Sequence, residues 1–155
     1  MPLIPTVLSS GIEKIEDSES ETEAIQKWAD AWNEYMISAA AGAVPLSPAA
    51  ANIGRAAMVQ SMAGLSVTGA AAIQSGITAY WGALASAPAV AFAGAAAVTP
   101  PPGLGGVAGI LLGVFSTNVV DKAPRPVAAQ KIATALHGAN MGGTATIGGS
   151  PVDIK

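Results

Sequence analysis

Hydrophobic positions recur with a helical period through much of this chain. In "ETEAIQKWADAWNEYMISAAA", residues 21–41, Ile25, Trp28, Ala29, Trp32, Met36 and Ala39 fall on one face, while Lys27, Asp30 and Glu34 fall elsewhere. Ser20 followed by Glu23 forms a capping box ahead of this run. Gly42 and Pro45 stop it. Ser47-Pro48 then starts a second helix, with Ser47 as N-cap and Pro48 in the first turn, running to about Ala63 before Gly64. A third helix is predicted from near Gly69 to Ala87, with Ile73, Gly76, Ile77, Tyr80 and Leu84 on one stripe and Pro88 closing it. Thr99-Pro100 restarts a fourth that ends near Asn118. Pro124 to His137 make a fifth, with Gly138 as its C-cap.

The ends of the chain read differently. Pro2 and Pro5 block an early helix, so residues 1–19 are expected to form an extended arm. The tail "NMGGTATIGGSPVDIK" is glycine-rich and holds a short β-like run, Thr144 to Ile147. The predicted fold is therefore all-α: about five short, tightly packed Ala/Gly-rich helices over 20–138, an arm over 1–19 and a tail over 139–155. "AIQKWADAWNEYM" and "AIQSGITAYWGAL" echo one another, each followed later by valine and Ser-Pro or Thr-Pro. Two related helical hairpins would produce this, and so would chance among alanine-rich helices.

One pattern is unusual for a protein surface. Between Arg55 and Asp121 no Asp, Glu, Lys or Arg occurs. The stretch from Gly103 to Phe115 is the most apolar part, and at ~1.5 Å per residue it spans roughly 20 Å, short of the ~30 Å hydrocarbon core. Extending it to Val120 reaches a spanning length but brings in Ser116, Thr117 and Asn118. Its flanks lack the aromatic and basic anchors of spanning helices. Gly105, Gly109 and Gly113 form a G-x-x-x-G-x-x-x-G ridge within it. Interior glycines cost a helix about 1 kcal/mol each relative to alanine, which makes sense where another backbone packs closely. Tight protein packing is favoured over a membrane span on length and flanks.

Composition sharpens this picture. The chain has 155 residues, 51% hydrophobic but only 5% aromatic and 11% charged, against a usual charged share of about 25%. Much of the apolar content is alanine, so a lone monomer buries little area per residue, and partner chains are expected to complete the burial. No cysteine is present to staple the fold. The start "MPLIPTVLSS" lacks the basic and long apolar regions of a secretory signal.

Charge is split along the chain. Eight of the ten acids lie in residues 1–34. Glu13, Glu16, Asp17 and Glu19 belong to the arm and suggest contact with a basic surface on a neighbour, with Leu3, Ile4, Val7 and Leu8 filling a pocket there. Lys122, Arg125 and Lys131 are too few, and too far from aromatics, to read nucleic acid.

Candidate chemistry is thin. "GLGGVA" fits a dinucleotide fingerprint by spacing, but three prolines precede it and no βαβ unit surrounds it. His137 is the single histidine and fits a helix C-terminal cation or cap. With no cysteine beside it, a metal site is not expected, nor is any cofactor or small-molecule substrate. Trp28 and Trp32 stand one turn apart, as packing residues do, and Tyr80 and Trp81 sit likewise in the third helix. No enzyme is indicated.

The segments "VPLSP", "AYWGAL", "AVTPPPGL" and "ALHGANMGGTATIGG" together resemble small alanine/glycine-rich structural proteins of tailed bacteriophages. The resemblance is one of overall pattern over most of residues 24–150, and the acidic arm lies outside it. It implies a virion component, made in the host cytoplasm, that binds copies of itself and other virion structural proteins, as a decoration, neck or tail/baseplate subunit. A membrane-active helical protein, such as a holin-like pore former, is the alternative.

Overall fold

Pro5 opens a helix instead of blocking one. In the computed structural model, which describes residues 3–63 and 69–155, α1 runs Pro5–Glu13 and a 3₁₀ turn, Lys14–Asp17, follows. Proline at the first helical position gives up no hydrogen bond and brings a helical φ. Leu3, Leu8 and Ile12 are buried in the same core as the rest of the chain, and α1 packs on α2 and α7. The extended arm expected over 1–19 is thus overturned: Leu3, Leu8 and Ile12 fold back onto the chain's own core. Pro2 lies outside the described residues.

The next elements start where their caps are. α2 spans Glu21–Met36, and the Ser20 hydroxyl accepts from the Glu23 N–H while the Glu23 carboxylate accepts from the Glu19 N–H. Ile25, Trp28, Ala29, Trp32 and Met36 are buried, with Tyr35 beside them. Gly42, at φ 59°, turns the chain between β1, Ala40–Ala41, and β2, Val44–Pro45. α3, Pro48–Met62, begins with the Ser47 hydroxyl accepting from the Ala50 N–H. Gly64, its expected stop, lies outside the described residues. α4, Ala70–Ser86, buries Ile73, Gly76, Ile77, Tyr80, Trp81 and Leu84, and α3 packs along it.

The second half departs from the all-α expectation. Pro88 ends α4 but begins the short α5, Pro88–Ala91. Then comes β3, Ala95–Thr99, where no strand was predicted. It pairs antiparallel with β4, Thr144–Ile147, which pairs with β5, Ser150–Asp153, across a Gly148-Gly149 turn in which both residues have positive φ. The chain end joins the two sheets: Ala40 and Lys155 exchange both backbone hydrogen bonds, at 2.9 and 3.0 Å. The described residues therefore hold seven α-helices and two small antiparallel sheets, of two and three strands, so the fold is mixed and not all-α with five helices.

The physical reason lies in β3. Its sequence, AAAVT, carries no strand alternation, and alanine favours helix. Pairing with β4 decides its conformation, and the three prolines that follow keep the chain extended. Helix therefore resumes only at a 3₁₀ turn, Pro102–Gly106, and α6, Val107–Val120, later than the Thr99-Pro100 start expected for it.

α7 runs Arg125–Ala139, so Gly138 lies inside it and Asn140 is the C-cap, correcting the expected glycine cap. Between α6 and α7 the Ala123 N–H donates to the Asn118 carbonyl and the Lys122 N–H to that of Val119. This is a Schellman ending with Lys122 in the left-handed position, at φ 47°, where glycine is usual. Lys122→Gly should stabilise the chain by about 1 kcal/mol, because a side chain there costs that much; urea unfolding would read the gain.

Candidate functional site

α6 is the element that the fold leaves uncovered. Val107 and Leu111, one turn apart, are buried, and Ala108, Val114 and Phe115 are half-buried. Leu112 is 62% exposed and Val119 and Val120 are each 77% exposed. By length and composition the helical stretch Pro102–Val120 could cross a membrane, and only 17% of its most apolar window is buried here.

Three contacts fix α6 in place. Val107 and Leu111 anchor it in the core, and the Ala108 N–H donates to the Gln74 side-chain carbonyl at 2.8 Å. α7 lies alongside it. Between the two helices runs an open groove of about 510 Å³, with Ile110, Gly113, Val114 and Thr117 on one wall and Lys131 and Thr134 on the other. The Lys131 ammonium is paired with Asp121 at 3.2 Å.

The glycine ridge is open. A Cβ added at Gly105, Gly109 or Gly113 would meet nothing within 4 Å. No helix of the chain itself packs on this ridge, so the helix contact expected there is not made within the chain. The close backbone approaches lie elsewhere, at Gly11 against Ala31 and at Gly103 against Ala139.

The aromatic residues lie in the chain's own core. Trp28, Trp32, Tyr80 and Trp81 are all buried. The Trp81 indole N–H donates to Asn140 Oδ1 at 2.8 Å, and Asn140 Nδ2 donates to the Tyr35 hydroxyl at 3.4 Å. The Tyr35 hydroxyl in turn meets His137 Nδ1 at 2.8 Å, and the Tyr80 hydroxyl donates to Asn33 Oδ1 at 3.1 Å. Burial pushes the Tyr35 phenol up to about 12 and raises that of Tyr80 as well. Sequence reasoning missed this network, because its members lie up to 105 positions apart and none forms a local motif.

His137 does sit in the last turn of α7. Burial lowers its pKa, however, which disfavours the cation expected there. The neutral ring keeps its hydrogen bond between Nδ1 and the Tyr35 hydroxyl. A folded-state pKa below the unfolded one of about 6.5 means that this stability is complete above that pH and is lost as pH falls through the folded value. Melting temperature should therefore drop modestly on acidification from pH ~7 towards ~5, and His137→Gln should flatten that drop.

The acids of residues 13–19 divide. Arg125 Nε donates to Glu16 at 2.7 Å and its Nη2 to Asp17 at 2.6 Å, tying the 3₁₀ turn to the start of α7. The hydrogen bond and the charge of Arg125 together hold the Asp17 carboxyl below its ordinary value. Glu13 is half-buried and Glu19 exposed; Ile4 is exposed and Val7 half-buried. Two of the four arm carboxylates, and the buried Leu3 and Leu8, are therefore engaged within the chain rather than held out for a neighbour. Among the described residues no cluster of three or more His, Asp or Glu side chains could hold a metal ion. No family model matches this chain, and neither a curated protein nor a solved structure matches it.

Proposed function

We propose that this chain is a non-enzymatic structural subunit of a tailed-bacteriophage particle, which works by packing against copies of itself and other virion proteins. The observation that carries this is the uncharged, apolar, largely exposed α6. Full burial of a Leu, Ile or Val side chain is worth about 1.5–3 kcal/mol, and Ile110, Leu112, Val119 and Val120 all stand partly or largely in solvent. Monomeric soluble proteins rarely expose contiguous apolar surface of this kind, and such patches mark association sites. The Trp81–Asn140–Tyr35–His137 network and the Arg125 ion pairs join distant parts of the chain, whereas the exposed apolar residues of α6 have no such role within it.

A second reading, a membrane-active helical protein, has one observation in its favour: the apolar stretch Pro102–Val120 is little buried. Against it, the α-helical part has 14 residues, about 21 Å at ~1.5 Å each, where a span needs about 30 Å. Insertion would also pull Val107 and Leu111 out of the core.

Fractionation separates the two. When the chain is made in its native genomic setting, density-gradient particles should contain it at a fixed copy number by quantitative mass spectrometry. Recovery only in detergent-soluble membranes would favour the second reading. Recovery only as free soluble protein would overturn both.

A further inference from the structure

We infer that Trp81 sets the protonation state of His137 from the far end of a one-way chain of hydrogen bonds, and that this chain is a pH-sensitive lock on the last turn of α7. Two groups, the Asn140 amide and the Tyr35 hydroxyl, stand between the two rings.

An indole N–H can only donate. Trp81 therefore turns Asn140 Oδ1 towards itself, at 2.8 Å, and sends the amide nitrogen the other way. That nitrogen can also only donate, and it faces the Tyr35 hydroxyl oxygen and Met36 Sδ, each at 3.4 Å. The Tyr35 oxygen thus accepts on one side, and its own hydrogen must find an acceptor on the other. Among the described residues the acceptor in reach is His137 Nδ1, at 2.8 Å. The ring is then neutral, with its hydrogen on Nε2. A hydrogen on Nδ1, in the other tautomer or in the cation, leaves the Tyr35 hydroxyl facing two donors with no acceptor. Tyr35 is fully buried, so bulk water does not relieve the conflict.

Charged groups among the described residues are set apart from the ring. α6 and the 3₁₀ turn Pro102–Gly106, which pack on α7, carry no ionisable side chain. α1 carries one, Glu13, at the end that leads into the Arg125 pairs, about three turns of α7 from His137. From α2, Tyr35 meets the ring, and Glu34 beside it is exposed. Within α7, Lys131 is paired with Asp121. Burial lowers the His137 pKa, and the direction of the chain acts in the same sense.

The lock holds the exit of α7. Asn140 is its C-cap, Ala139 packs against Gly103, and Gly143 stands close to the Trp81 ring and Pro101. Acid places a hydrogen on Nδ1. The half-buried His137 ring then turns to solvent, Tyr35 loses its acceptor, and Asn140 loses a fixed neighbour. The exit of α7 loosens as pH falls through the folded pKa and stays closed above it.

Nuclear magnetic resonance of the full chain tests this, because a single histidine gives a single imidazole titration. The parent should show the Nε2–H tautomer and a pKa below about 6.5. Trp81→Phe frees the Asn140 amide to turn. Its Oδ1 can then accept from Tyr35, whose oxygen can accept from a protonated Nδ1. The His137 pKa should rise by roughly 0.5–1 on the pH scale. Tyr35→Phe should raise it too, since the neutral ring loses its donor. Amides of residues 138–143 should exchange faster relative to those of α4 at pH ~5 than at pH ~7, and His137→Gln should remove that difference.

An Nδ1–H tautomer in the parent overturns the inference. So does an unchanged His137 pKa in folded Trp81→Phe, which would leave burial as the whole cause. A pKa that falls in Tyr35→Phe means that the ring donates to Tyr35, and overturns it even if Trp81→Phe does not fold. Exchange at 138–143 that ignores pH overturns the lock.

Discussion

Trp81→Ala should destabilise the protein by about 5 kcal/mol, enough to bring it to the edge of folding. Removing a buried tryptophan costs about 3–5 kcal/mol through lost burial and the cavity left behind. Trp81 is 1% exposed, at the middle of the core. Its indole N–H is also a hydrogen-bond partner of Asn140, itself 1% exposed, so the truncation strands Asn140 Oδ1. An orphaned buried acceptor adds about 1–3 kcal/mol. Total stabilities of about 5–15 kcal/mol leave little margin for such a loss. Trp81→Phe separates the two effects: it keeps most of the volume and should cost about 1–3 kcal/mol for the hydrogen bond. Urea unfolding of the three proteins measures this. A cost below about 1 kcal/mol for Trp81→Ala would be that of a surface substitution and would remove Trp81 from the core.

The second large effect is at Gly11. A Cβ at this position would collide with the Ala31 Cβ and lie 2.9 Å from the Ala31 Cα. Both atoms belong to helices, so no rotamer change can relieve the clash; α1 must move off α2. Gly11→Val should cost about 3 kcal/mol, at the upper end of overpacking. The milder Gly11→Ala should be partly rescued by Ala31→Gly, which restores the space. Rescue in the double variant, read by thermal melts, distinguishes a local clash from a general intolerance of α1. An unchanged melt for Gly11→Val would mean that α1 does not pack on α2 at all. Removing residues 1–19 altogether should likewise destabilise the body, because Leu3, Leu8 and Ile12 leave with it.

Much of the local structure was legible. Ser20 and Ser47 marked helix starts, because a hydroxyl that caps a free N–H acts within three residues. The run Thr144–Ile147 was readable as a strand from its β-branched residues. The stripe of α4 was readable because large side chains stood out against alanine. α1 was not, because Pro5 signals a break and a first turn equally well, and only its packing on α2 and α7 settles which. β3 was not, because three alanines carry no period that favours a strand.

The candidate site was legible in part. The absence of charge from Arg55 to Asp121 was plain, and so was the glycine spacing in α6. Which side of α6 faces inward was not, since a helix that is apolar all round points to no face. Glycine spacing marks where a backbone could approach without saying which one does. Here the close approaches within the chain are made by Gly11 and Gly103, neither of which belongs to that ridge.

By itself, the sequence determined the short-range features: the serine caps at Ser20 and Ser47, the β4 run and a central region without charge. Tertiary structure alone decided that Leu3, Leu8 and Ile12 fold into the core, that β3 is a strand, that Asn140 links Trp81 to Tyr35, and that α6 remains uncovered. These depend on which surfaces, far apart in the chain, exclude water together, and an alanine-rich sequence with few large side chains leaves that choice to the packing of the whole.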